Sequence, residues 1–384
     1  MSYDWQALAP TRPLAISDFG FGLPISDYGV GDLYVPRTGE GALEIDALLS
    51  AGLEQPIALF GPAGAGKSTE LAALAKRRES KWVGPLVRLD KLLAYSDATS
   101  VEDVLDAIAT FVIRVAIEKL GLKLSPELAA TLGPAPPGLA THAGFDLVLA
   151  AVREIRSASK QGDVGLLVDG LEKASSGLAR RTLANLERLR GEARVVVVVP
   201  TGLATGPSAA ALQDYHVMLI GPVVVSETVD LLMSKGTEGD QFLFEIAARR
   251  LGVRPENIGR ESWDTTAVAM RLCIVLSGGL IRTFLQLLQK AALYAAMRGR
   301  AAPDVQDVRR TAHDQTGFLL RLLKEGDVES LRAAHGTSGV EIEIDRRVRF
   351  LANGILLEYR TSAGPVVYVA PLLADAILKA SPHG

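Results

Sequence analysis

The stretch Pro56-Ile57-Ala58-Leu59-Phe60-Gly61-Pro62-Ala63-Gly64-Ala65-Gly66-Lys67-Ser68-Thr69 decides the fold. Its first five residues form an apolar run that predicts a strand. The rest match the pattern G-x-x-x-x-G-K-[ST], and residues 68–78 continue as a predicted helix. The glycines permit turns that residues with a Cβ resist, and they let backbone amides approach an anion closely. Amides gathered at a helix N-terminus make a nest for phosphate. Lys67 then stands where it neutralises the β- and γ-phosphates, and the Ser68 hydroxyl where it ligates Mg²⁺. The stretch implies a nucleoside triphosphate, ATP with Mg²⁺, bound by Gly61, Pro62, Ala63, Gly64, Ala65, Gly66, Lys67, Ser68 and Thr69.

Further apolar runs lie at 82–89, 164–168, 195–199 and 217–220. Their β-branched content and lack of polar alternation suit strands buried on both faces, as in a parallel sheet. Helical patterns lie around them. One, at 41–51, precedes the first strand. Another places Val101, Val104, Leu105, Ile108, Val112 and Val115 on one face behind Ser100 as N-cap. A third covers 145–155. This alternation predicts a three-layer αβα domain. Residues 133–138 carry three prolines and read as a surface loop.

After Pro222 helical patterns dominate to about residue 324. Ser226 with Glu227 opens one helix. Pro303 with Asp304 opens another, the proline at a favoured first-turn position. Helical patterns at 327–334 and 342–352, a strand at 355–360, a turn at 361–365 and a strand at 366–370 predict a small winged-helix domain. The expected division is a lead-in at 1–30, an ATPase core at 31–222, a helical lid at 223–324 and the winged helix at 325–384.

The 384 residues hold 41 Lys and Arg against 44 Asp and Glu, a net charge of −3. No global field therefore draws the chain onto nucleic acid or a membrane. Cys273 is the single cysteine, so no intramolecular disulfide forms. No basic-then-apolar leader opens the sequence. No apolar run reaches the roughly 18 residues that span a bilayer. The longest candidate, 267–288, is interrupted by Arg271 and Arg282. These features read as a soluble cytoplasmic protein.

A second half of the nucleotide site is visible downstream. Residues 164–168 form an apolar strand that ends in Asp169, a Walker B pattern in which the carboxylate holds Mg²⁺ through water. Glu172 follows; it is either the base that polarises an attacking water or a solvated helix-start residue. The strand at 195–199 leads to Pro200 and Thr201. Thr201 is either a sensor of the γ-phosphate or a turn residue that caps the strand.

In this order, these parts resemble the AAA+ ATPases and their signal-transducing relatives, the STAND ATPases, over about residues 32–312. Asp32-Leu33-Tyr34-Val35-Pro36-Arg37 is similar to the family's adenine-contacting segment, which implies Tyr34 and Val35 beside the base. Asp169-Gly170-Leu171-Glu172 resembles the STAND form of Walker B. Ser277-Gly278-Gly279-Leu280-Ile281-Arg282 is similar to the second sensor of the initiator-type clade, which implies that Arg282 reaches the γ-phosphate. The alternative for Arg282 is a surface arginine at a helix start. Gly66-Lys67-Ser68-Thr69-Glu70-Leu71, the lid motif and a winged-helix end together resemble bacterial ATPases of conflict and defence systems. Leu276-Ser277-Gly278-Gly279 imitates the ABC-transporter signature, but it follows Asp169 instead of preceding Walker B.

The sequence departs from ring-forming AAA+ proteins in one respect. Residues 201–216 contain no Arg or Lys, where a trans-acting arginine normally sits; Arg180, Arg181, Arg188, Arg190 and Arg194 precede the sensor strand's end. The resemblance then implies slow or partner-stimulated ATP hydrolysis, with nucleotide acting as a conformational latch and a protein partner or self-association as output. The alternative is a DNA-binding initiator or loader that uses the winged helix. Arg346, Arg347, Arg349, Arg360 and Lys379 supply charge for it, but Glu341, Glu343, Asp345 and Glu358 offset much of that charge. A small-molecule kinase conflicts with the large helical half.

Overall fold

The computed structural model describes residues 33–37, 41–133, 143–160, 162–205, 207–226, 236–250, 265–300, 303–361 and 364–379. The lead-in at 1–30, nearly all of the proline-rich loop at 133–138, and the helix start after Ser226 lie outside the described residues. Two compact units make up the chain: Gly39–Phe60 with Lys67–Leu219, and Met1–Thr38 with Gly61–Gly66 and Ile220–Gly384.

The first unit is built on five strands, each matching a predicted run: β1 (Ile57–Phe60), β2 (Leu86–Arg88), β3 (Gly165–Asp169), β4 (Arg194–Val198) and β5 (His216–Leu219). Their order is β2-β3-β4-β1-β5, and every pairing is parallel. This is the parallel-sheet P-loop fold that the sequence predicts. Alternate residues of a strand face opposite sides, and here both sides are buried. Ala58, Leu166, Val168, Val195 and Val197 join one apolar cluster, while Ile57, Leu59, Leu167, Val196 and Val198 between them are equally sealed.

Helices supply the cover. α1 (Ala42–Ser50) and α2 (Lys67–Arg78) are tied together where the Ala42 amide donates to Glu70 Oε2 at 2.9 Å. α3 (Val101–Arg114), α4 (Gly144–Ala158) and α5 (Ser176–Glu187) bury their apolar stripes in the cluster on Ala58 and Val168. Ser100 caps α3 as predicted, in a reciprocal box with Asp103. Tyr215, just before β5, donates its buried hydroxyl to the Leu183 carbonyl at 2.7 Å.

The second unit is mostly helical: α6 (Glu238–Arg250), α7 (Thr265–Ser277), α8 (Ile281–Met297), α9 (Val305–Leu320), α10 (Asp327–Ala334) and α11 (Ile344–Ala352). The antiparallel hairpin β6 (Leu356–Thr361) and β7 (Gly364–Val369) follows. A further helix, α12 (Pro371–Leu378), falls where no sequence pattern was read. Pro371 opens it at the first helical position, a placement that suits a residue with no N–H to donate. Pro303 corrects the expectation for α9: it lies outside the helix, and Asp304 is the N-cap in a box with Asp307. One apolar cluster joins α6–α9, and a second joins α10, α11 and the hairpin; Leu372 packs in the first, Leu373 and Ile377 in the second. Among the described residues no helix is long and apolar enough to cross a membrane.

Tyr215→Phe removes one buried hydrogen bond without changing shape. Urea unfolding should show a loss of about 1 kcal/mol, with nucleotide binding intact.

Candidate nucleotide site

Parallel strands end at a common edge, so the residues after β1, β2, β3 and β4 gather there. In the sheet unit this edge holds Lys67 and Ser68 at the start of α2, Arg88 at the end of β2, Asp169 at the end of β3, and Thr201 after β4. The Asp169 side chain is only 4% exposed. Its carboxylate is hydrogen-bonded by the Ser68 side chain. Arg88 is the Cα partner of Asp169 in the sheet, and its Nε lies 3.3 Å from Asp169 Oδ2. The other oxygen, Oδ1, is buried with no hydrogen-bond partner. Burial pushes the Asp169 pKa above the usual carboxylate value, against the Ser68 hydrogen bond and the positive charge of Arg88.

Glu172 sits on a single turn, Leu171–Lys173, directly after β3. It is half-buried, and its Oε2 is sealed without a hydrogen-bond partner. Burial, then the negative charge of Asp169, raises its proton affinity. A carboxyl group so placed has the chemistry of a general base. Thr201 begins the turn Thr201–Ala204, and its carbonyl accepts from the Thr205 amide at 3.1 Å and hydroxyl at 2.9 Å.

Among the described residues no group of three or more His, Cys, Asp and Glu is arranged to hold a metal. The available donors are a hydroxyl, Ser68, and one carboxylate whose Oδ1 is unpartnered. That set fits a hard cation that completes its shell with phosphate oxygens and water, as Mg²⁺ does, and does not fit a cage of protein ligands. When bound, Mg²⁺ neutralises phosphate charge.

The phosphate loop Gly61–Gly66 belongs to the helical unit. The Ala63 amide donates to the Ala352 carbonyl, at the end of α11, at 3.3 Å. The Arg282 amide, in the first turn of α8, donates to the Gly64 carbonyl at 3.2 Å. Arg37 is buried; its guanidinium donates to the Ala65 carbonyl, and to the Gly221 carbonyl at 2.9 Å. Gly64 has φ +88°, and a Cβ there would overlap the Arg282 Cβ. Arg282 is thus a direct neighbour of the loop.

The turn before α8 is built for backbone contact. A Cβ on Gly279 would overlap the Val223 carbonyl oxygen, and the Val223 amide donates to the Gly279 carbonyl at 3.1 Å. Val35 is buried in the cluster with Leu243 and Phe244, and the Tyr34 carbonyl accepts from Arg249. Near the C-terminus, Arg349 and Arg346 pair with buried Asp327 at 2.8 and 3.8 Å, Arg347 with Glu358 at 3.1 Å, and Lys379 with Asp375 at 2.6 Å.

Three contacts escaped the sequence reading. Arg37 lies in the segment that resembles a base-contacting element, yet it grips the loop. Arg88 carried one signal, a lone cation near the end of an apolar run. Ala352 carried none, because a backbone carbonyl leaves no mark on a sequence.

The chain is similar in structure to a Walker-type ATPase of Pyrococcus abyssi, at 15% identity and TM-score 0.54, covering 90% of this chain and 96% of that one. It also aligns with Cdc6p of Pyrobaculum aerophilum (14% identity, TM-score 0.47, 96% and 98% covered). A third match is the Orc1 protein of Aeropyrum pernix, in complex with DNA (15%, 0.44, 90% and 94%). No protein-family model matches the sequence, and no curated protein matches it. The first likeness is one of fold: the chain has the fold of a Walker-type, P-loop ATPase.

Gly64→Ala should lower the affinity for a fluorescent ATP analogue at least about tenfold, because the added Cβ must displace Arg282 or the loop. Gly52 shares the φ of +88° but has nothing within 4 Å. Gly52→Ala should therefore leave that affinity unchanged.

Proposed function

We propose that the chain is an ATP-binding, slowly hydrolysing ATPase of AAA+/STAND type that acts as a nucleotide-dependent conformational switch. The observation that carries this reading is the Ala63 amide on the Ala352 carbonyl. It links the phosphate loop to the helix that leads into the C-terminal hairpin. A change in the loop on gaining or losing a γ-phosphate therefore acts on α11 and β6 without an intermediary. The Arg282 amide on Gly64 gives α8 the same direct link.

In this reading the loop amides cradle the phosphates, with Lys67 as their counter-charge. Ser68 and Asp169 hold Mg²⁺, and Glu172 orients the attacking water. Thr201 and Arg282 report the γ-phosphate, and Tyr34 and Val35 border the base. Residues 223–324 act as the lid, and 325–384 as a winged-helix module. The lack of Arg and Lys over 201–216 supports slow or partner-stimulated turnover, with a protein partner or self-association as the output. The combined resemblance of the run at 66–71, the lid motif and the winged-helix end to conflict and defence ATPases supports a signalling role. The intramolecular ion pairs of Arg346, Arg347, Arg349 and Lys379 weigh against a DNA-loading role, since those cations already have partners.

Hydrogen exchange compares the chain with ATP, with ADP and without nucleotide. Amides of α8, α11 and β6 should change protection between ATP and ADP, and Lys67→Ala should abolish both that change and ATP binding. Identical protection in all three states would sink the switch. Unchanged ATP affinity in Lys67→Ala would sink the site.

A further inference from the structure

We propose that Arg88 is a positioning residue for the metal-facing carboxylate: it holds one oxygen of Asp169 so that the other stays turned to the cation of a metal–nucleotide complex. This rests on the ATP reading above and deepens it.

A carboxylate at a strand end turns easily about its last torsion, whose energy wells are broad. Something must fix its plane if one oxygen is to face a ligand. Arg88 is placed to do so by the sheet itself, since it is the Cα partner of Asp169 on the neighbouring parallel strand. Its Nε reaches Oδ2 at 3.3 Å and leaves Oδ1 buried and unpartnered. A sealed oxygen with no donor is costly unless a ligand claims it.

Arg88 is itself held. Its Nε lies 3.3 Å from Asp90 Oδ1, and its Nη2 lies 3.4 Å from Asp90 Oδ2. Lys173 Nζ braces the same Asp90 at 2.7 Å. Burial opposes ionisation of Asp90, but the hydrogen bonds from Lys173 and Arg88 keep its pKa below the ordinary value. The result is a chain Lys173–Asp90–Arg88–Asp169, with two cations and two carboxylates. An arginine suits the place because its planar guanidinium engages Asp90 through both Nε and Nη2 while the same Nε stays beside Asp169, a fixed geometry that a lysine's single ammonium lacks.

Groups that orient a metal ligand typically change metal affinity about 10–100-fold when removed. The test titrates Mg²⁺ against binding of a fluorescent ATP analogue, beside the same binding in EDTA. In Arg88→Met the Mg²⁺ midpoint should rise by about 10–100-fold, with a smaller change in EDTA. Arg88→Lys should fall between the two. Asp90→Asn, which loosens Arg88 but leaves Asp169 untouched, should move the midpoint in the same direction by less. Thermal unfolding of each variant checks that it folds, and Asp90→Asn carries the test if Arg88→Met does not fold. An unchanged midpoint in both variants overturns the proposal, and so does a lower one, which would make Arg88 a competitor of the metal. If the unsubstituted chain binds no ATP, the ATP reading falls and takes the role of Arg88 with it. If the chain binds ATP and only the Arg88 and Asp90 variants behave otherwise than expected, this inference fails alone.

Discussion

A parallel sheet sends the carboxyl ends of all its strands to one edge, and this constraint governs everything at the candidate site. Lys67, Arg88, Asp169 and Thr201 are scattered over more than a hundred positions. They meet because β1, β2, β3 and β4 run the same way in the order β2-β3-β4-β1. The strands hold their places through apolar burial on both faces, which is non-directional. Precision at the edge comes from register. Arg88 faces Asp169 because Leu86 and Val87 pair with Leu167 and Val168. A slip of one residue would turn Arg88 to the other face and leave the Asp169 carboxylate without it.

Burial at that edge has a cost that shapes the chemistry. Asp169 and Glu172 are both pushed above their ordinary proton affinities, chiefly by burial. Sealed oxygens on both residues, Oδ1 and Oε2, have no hydrogen-bond partner. A fold selected only for stability would not keep two such atoms at one strand end. Local cost of this kind is characteristic of binding and catalytic sites.

The sheet was legible because its strands are short β-branched runs without polar alternation, and burial on both faces requires that pattern. Ser100 announced its cap because a serine directly before an apolar helical stripe is a favoured N-cap, and the box with Asp103 came only with the structure. Asp304 did so less clearly, since Pro303 beside it drew the helix start two positions too early. α12, where no pattern was read, carries no such signal: its N-cap is Ala370, which has no polar side chain to bond the first turn. At the candidate site, the phosphate-loop motif and the strand-end Asp169 could be read because each demands particular residue types, whereas the side-chain contacts of Arg37 and Arg88 could not. Nor could the backbone partners. The Ala352 carbonyl and the Arg282 amide act through atoms that every residue possesses.

That distinction bears on how the proposed switch is coded. Backbone hydrogen bonds at Ala63 and Gly64, and the Arg37 guanidinium on the Ala65 carbonyl, are among the contacts that hold the loop in the helical unit. Each donor or acceptor so used on the loop is one that the loop's conformation controls. If a phosphate draws the loop amides inward, the geometry at Ala63 and Gly64 changes with it, and α11 and α8 lose or gain a partner. Side chains at Ala63 and Ala352 are too small to relay such a change by contact, so the coupling runs through peptide groups. Glycine at 64 is then required twice. It supplies the left-handed φ, and it leaves room for Arg282 to come close enough for its amide to reach the loop.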